Sequence, residues 1–190
     1  MEHEKLLDTI KSYDKISKEE ETNLENFFTA LKIKKGEVLI KSSTPCNKLF
    51  FVNSGLLRDF FINETGNEIT TIITCEGRFL TNIISFNGFA ENNETIECIE
   101  DAEILSISKE NFDKLMHSSK NLKCIYADII EEYYALLTER FHYLNTKNVE
   151  QKINHLKNDF PFLINRVNDS LIASFLGITR ETFVRNKKFL

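Results

Sequence analysis

The chain has 190 residues, 42% of them hydrophobic and 28% charged, with sixteen Phe, no Trp and a formal net charge of -5. This is the balance of an ordinary globular protein with a sizeable core. No apolar run approaches the roughly 20 residues that cross a membrane. The opening MEHEKLLDTIK lacks the basic-then-apolar order of a secretory leader, so a cytoplasmic location is expected, with no membrane partner.

Cys46, Cys75, Cys98 and Cys124 are widely spaced, and His3, His117, His142 and His155 form no HxH or HxxxH pair. Neither set has metal-ligand spacing, so no metal site is expected and the cysteines read as reduced, mostly buried thiols. Charge is unevenly spread. From Thr146 to Leu190 there are eight Lys/Arg against four Asp/Glu, and residues 1–145 hold sixteen against twenty-five. A basic C-terminal piece on an acidic body suggests two jobs, one of them toward a polyanion.

Residues 3–31 are predicted helical. Ser17 with Glu20 forms a capping box, and Leu24, Phe27, Phe28 and Leu31 follow at helical spacing. From Ile33 the period changes. Glycines fall at 36, 55, 66, 77 and 88, the last four eleven residues apart. Between them lie KLFFVNS, LLRDFFI and EITTIIT, and later ETIECI and EILSIS. Short strands at this spacing predict an all-β roll. FINETGNEIT reads as a hairpin with Thr65-Gly66-Asn67 at its tip.

After Ser108 the helical period returns, first over Lys109–Met116. Asn121–Asn145 then runs without Gly or Pro, a helix of about 37 Å. Leu122, Tyr126, Ile129, Tyr133, Leu136 and Phe141 make one apolar stripe, which Ile125, Ile130, Leu137 and Leu144 widen to a second face. One face can pack on the roll while the other meets a second copy, so a dimer helix is predicted rather than a plain core helix. Val149–Lys157 is a further helix, ended before Pro161.

The close, NDSLIASFLGITRETFVRNKKFL, reads by its mechanics. Asp169 or Ser170 caps a helix through Leu176. Ala173 admits a close helix crossing, and Gly177 suits a turn with φ > 0. Thr179 caps a second helix from Arg180, with Ile172, Leu176, Ile178 and Phe183 between the two. This is a helix-turn-helix. Arg180, Glu181 and Arg185 then suit base edges, with Thr179 and Thr182 beside them, and Lys187 and Lys188 suit phosphates.

Here the chain resembles the Crp/Fnr family of bacterial transcription regulators, over nearly its whole length. KIKKGEVLIKSSTPCNKLFFVNSGLLRDFF is similar to the family's opening strands, and IASFLGITRETFVR to its recognition element. The family's Arg–Glu–x3–Arg reading set falls on Arg180, Glu181 and Arg185. The resemblance implies an α+β fold: an N-terminal double-stranded β-helix (jelly-roll) sensor over 1–117, a dimerisation helix over 118–145 and a helix-turn-helix domain over 146–190. It implies a homodimer on a two-fold symmetric DNA operator, with RNA polymerase as a further partner, no catalytic residue and no cofactor. The cysteine cluster of oxygen-sensing relatives is missing, and no histidine stands out as a haem ligand.

Two departures from the family pattern carry consequences. Where cyclic-nucleotide-responsive members hold the ribose and phosphate with a Gly–Glu–Leu turn and an Arg followed by Ser or Thr, this chain has Thr81, Asn82, Asn92 and Asn93. The phosphate's fixed cation is gone. A different small-molecule effector, or a scaffold role, is expected in preference to a cyclic-nucleotide receptor, and a cupin-like enzyme is more remote because no histidine lies on the strands. Secondly, the sequence ends at Leu190 without the wing hairpin that follows the recognition helix, and Asn186 stands where that helix usually buries an apolar residue.

Overall fold

The computed structural model describes residues 2–190. Helix α1 spans Glu4–Tyr13 and α2 Lys18–Phe27. The capping box forms as expected, with Ser17 Oγ accepting from the Glu20 N–H and the Glu20 carboxylate accepting from the Ser17 N–H. The helix predicted over 3–31 ends earlier, however. Phe28 is already extended, and Thr29–Ile33 is a strand, β1, paired antiparallel with a later strand from Thr29↔Ser106 to Ile33↔Ala102. Phe28 still enters the core at 4% exposure. Short apolar runs fit either period, and here pairing to a strand distant in sequence decides the outcome.

The sheet has six strands: β1, β2 (Val38–Ile40), β3 (Lys48–Ile62), β4 (Glu68–Thr74), β5 (Phe79–Leu80) and β6 (Thr95–Ser108). Its order is β1-β6-β3-β4, with β2 paired to β6 and β5 to β3. One-turn helix α3, Ile83–Phe86, follows β5. The β3–β4 hairpin turns where it was predicted. Asn63 Oδ1 accepts from the Thr65 and Asn67 N–H groups, and Gly66 sits at φ 81.

KLFFVNS and LLRDFFI are one strand rather than two, and so are ETIECI and EILSIS. Gly55 is the reason for the first. It is a crossing point inside β3 and not a turn: a Cβ built there would lie 2.5 Å from the Asp101 carbonyl oxygen and 2.7 Å from Ala102 Cα, at φ 89. Glycine inside a strand marks such close backbone approach. Gly55→Ala must push backbone from backbone at a φ that resists a side chain, and is expected to cost about 2–4 kcal/mol. A lowered urea midpoint with an unchanged slope checks this.

Helix α4 spans Lys109–Ser118 and α5 Lys120–Thr146. The chain forms two units, Met1–Asp59 with Ile73–Glu131, and Phe60–Ile72 with Glu132–Leu190. In the first unit Leu122, Ile125 and Ile129 of α5 are buried, and Phe112 of α4 stacks edge-on between Phe86 and Tyr126. The two expected α5 faces are therefore divided along its length as well as around it. The N-terminal half points inward, and the C-terminal half leaves Tyr134, Leu136, Leu137 and Phe141 exposed.

The second unit gathers the hairpin tip with α6 (Val149–Asp159), α7 (Pro161–Arg166), α8 (Asp169–Leu176) and α9 (Arg180–Arg185), closed by a 3-10 turn at Lys187–Phe189. Pro161 ends α6 as expected, but it also opens α7, where a missing N–H costs nothing. Ile153, Leu156, Leu163, Ile172, Leu176 and Phe183 fill the core between these helices. No described helix is long and apolar enough to cross a membrane. Cys46 and Cys98 are buried and Cys75 half-buried, while Cys124 is exposed on α5.

Candidate nucleic-acid interface

The cap of α8 falls one residue before those expected. Asn168 is the N-cap, its side chain accepting from the Leu171 N–H, because Asn, Asp and Ser are near-equivalent caps and the chain offers all three in a row. The helix ends at Gly177, at φ 61 and ψ 41. The Gly177 N–H donates to the Ser174 carbonyl and the Ile178 N–H to the Ala173 carbonyl, the paired bonds of a Schellman motif. A side chain at Gly177 would also meet Leu144 Cδ2 at 3.2 Å. Thr179 then caps α9, its hydroxyl accepting from the Thr182 N–H at 3.1 Å. The predicted helix-turn-helix is present, with Phe183 wholly buried beneath it.

The structure sorts the seven residues expected at DNA. Arg180, Glu181, Arg185 and Lys188 are exposed, and Val184 joins them at 44% exposure. Residues 181, 184 and 185 lie at helical spacing on α9, so they share the side opposite Phe183, and Lys188 follows in the 3-10 turn. Thr179 and Thr182 bond to each other, hydroxyl to hydroxyl at 3.0 Å, as part of the cap. Lys187 is paired with Asp169 at 2.7 Å and lies over the Phe183 ring. That pair ties the 3-10 turn to the start of α8. Asn186 shortens α9: its side chain donates to the Thr182 carbonyl at 2.8 Å and the chain passes into the 3-10 turn.

Thr81, Asn82, Asn92 and Asn93 occupy the segment where the family's nucleotide grip would lie, and three of them are consumed internally. Thr81 Oγ1 donates to the Lys48 carbonyl. Asn82 caps α3 through Oδ1 and donates to the Glu94 carboxylate at 2.5 Å. Asn92 donates to the carbonyls of Lys41 and Glu94 and accepts from the Glu94 N–H. Asn93 is exposed. Glu94, which no motif marks, sets a carboxylate beside Asn82, where an anionic phosphate would be repelled. Inside the sheet Arg58 is 7% exposed and bonded to Glu97 at 2.6 Å, another pair with no sequence signal. Calorimetry with cyclic AMP and cyclic GMP is expected to give no saturable heat at tens of micromolar, a binding free energy of about -6 kcal/mol or weaker. A submicromolar dissociation constant would contradict this.

The sequence profile of the cyclic nucleotide-binding domain matches residues 30–119. Electron transport regulator A of Shewanella oneidensis is 26% identical over 167 residues, which span 80% of this chain and 65% of that protein, just under two thirds of its length. A Crp/Fnr-family transcriptional regulator from Eubacterium rectale superposes with a TM-score of 0.72 at 17% identity, covering 92% of this chain and 83% of the other. The c-di-GMP-responsive global regulator CLP of Xanthomonas campestris superposes with a TM-score of 0.70 at 17% identity, covering 90% of each chain.

An antiparallel cyclic nucleotide-binding domain, a long helix and C-terminal helices define the α+β architecture of the Crp/Fnr regulators. The chain therefore carries a cyclic nucleotide-binding-type domain over residues 30–119 and shares its overall fold with solved Crp/Fnr-family regulators.

Proposed function

We propose that this protein is a homodimeric regulator that reads a two-fold symmetric DNA operator through α9. The observation that carries the reading is the outward face of that helix. Arg180, Glu181, Val184 and Arg185 are exposed on a helix whose opposite side, Phe183, is locked into the core. Arg can bond guanine O6 and N7 together and Glu can accept from cytosine N4, so this face has the donors and acceptors that distinguish base pairs in a major groove. Lys188 is the phosphate contact, with Lys187 in a supporting role through Asp169.

The dimer seam is the exposed apolar stripe of α5. Tyr134, Leu137 and Phe141 are exposed on it and follow one another in steps of three and four, the spacing of a coiled-coil seam. The effector of the β-roll is not a cyclic nucleotide held in the family's usual manner, because Asn82 and Asn92 are spent on Glu94 and Lys41. The test is a titration of duplex DNA at rising salt. Binding that weakens linearly on a log–log scale supports the reading. No binding to any duplex at low salt would refute it.

A further inference from the structure

Strand β4 lies at the end of the sheet order, so one of its edges has no strand partner in that order. Residues two apart on a strand present their backbone groups to the same edge. At Glu68 and Thr70 those groups are taken by side chains from helices. Ser174 Oγ on α8 donates to the Glu68 carbonyl and accepts from the Thr70 N–H, both at 2.9 Å. Arg140 Nη2 on α5 donates to the Thr70 carbonyl at 3.2 Å and to the Phe175 carbonyl at 2.7 Å. Its guanidinium lies 3.9 Å over the Phe175 ring. Thr70, where all this converges, is 1% exposed.

Arg140 has no carboxylate partner among the described residues. Burial pulls it down to about 10 from its ordinary value, which leaves it charged at neutral pH. A half-buried cation held only by two carbonyls and a ring is an expensive way to join helices that already share an apolar core. What it adds is a fixed link between the hairpin and the helix that leads, through Gly177, into α9.

We propose that Arg140 and Ser174 are positioning residues for DNA recognition, latching the helix-turn-helix to the tip of the β3–β4 hairpin. The latch engages α8 and leaves Arg180, Glu181 and Arg185 uncovered, so its closed form is the one that presents the reading face. Both bonds leave Nη2, and the planar guanidinium also lies over the Phe175 ring; a lysine in its place is shorter, lacks that plane and holds the link only in part. The inference rests on the DNA-binding reading.

The experiment compares the full-length wild type with Ser174→Ala, Arg140→Lys and Arg140→Met, by amide hydrogen exchange and by titration of a duplex that the wild type selects. Ser174→Ala is expected to speed exchange of the Thr70 amide while the Phe183 amide keeps its protection. Ser174→Ala and Arg140→Met each weaken duplex binding by about three- to tenfold, with Arg140→Lys between them and the wild type. Because Ala is a better helix former than Ser, Ser174→Ala carries the test even if Arg140→Met unfolds.

Variants that free the Thr70 amide yet bind the duplex like the wild type would overturn the positioning role. So would a Thr70 amide that exchanges fast in the wild type. A wild type that binds no duplex overturns the DNA reading and the positioning role together, and the exchange arm separates that failure from a latch that never forms.

Discussion

Leu137→Glu is expected to convert the proposed dimer to a monomer and to remove high-affinity operator binding. Leu137 is 45% exposed, between Tyr134 at 71% and Phe141 at 65%, so the substitution disturbs little within its own chain. In a two-fold seam, however, each glutamate faces apolar surface of the second copy. Burying an unpaired charge costs several kcal/mol, and symmetry doubles it. A monomer meets one half-site at a time and loses the linkage that makes two weak contacts strong. Sedimentation at micromolar concentration should show a wild-type dimer and a folded variant monomer, whose melting temperature, unlike the wild type's, does not depend on protein concentration. Ile129→Glu is the informative contrast. Ile129 is 6% exposed in the core of its own unit, so that substitution should unfold the unit rather than part the protomers. A wild type that sediments as a monomer would remove the seam from the account.

Arg185→Ala is expected to relax base preference, and Lys188→Ala to weaken all duplexes alike. Arg185 lies one turn after Glu181 on the exposed side of α9, where a guanidinium can reach a base edge. Its loss should cost about 1–3 kcal/mol per half-site and flatten discrimination at one base pair. Lys188 lies past the helix, in the 3-10 turn over the Phe189 ring, and offers a point charge to the backbone. Its loss should reduce the salt slope by about one unit per contact without changing preference. Lys187 is a poorer probe, because its removal also breaks the pair with Asp169. Titrations over single-base variants at two salt concentrations check the assignment. Equal loss across all variants for Arg185→Ala would overturn it.

The helix-turn-helix was legible in the sequence because its determinants are local. Gly177 needs a positive φ, Thr179 caps the next helix, and Ile172, Leu176 and Phe183 sit at spacings that only two crossed helices bring together. The sheet was legible in outline from the glycine spacing, but its strand lengths were not. Gly55 has the signature of a turn, and only the backbone of Asp101 and Ala102 pressed against it reveals a crossing. Ile129 illustrates the same limit in a helix: periodicity identifies an apolar face but not which neighbour covers it. Helix α7 escaped notice because a proline that ends one helix can equally begin another. Ser174 and Thr70 are 104 residues apart in the chain, and no short-range pattern marks a serine that will close a strand edge. Glu94 likewise acquires meaning only once the fold sets it against Asn82.

The central claim is that two copies of α9 read DNA as a symmetric pair. Selection of bound duplexes from a random pool by the full-length protein tests it most directly. The account predicts enrichment of a two-fold symmetric site whose half-sites lie about one helical turn apart, ~34 Å. Enrichment of a single asymmetric site, or no enrichment at low salt, would contradict it.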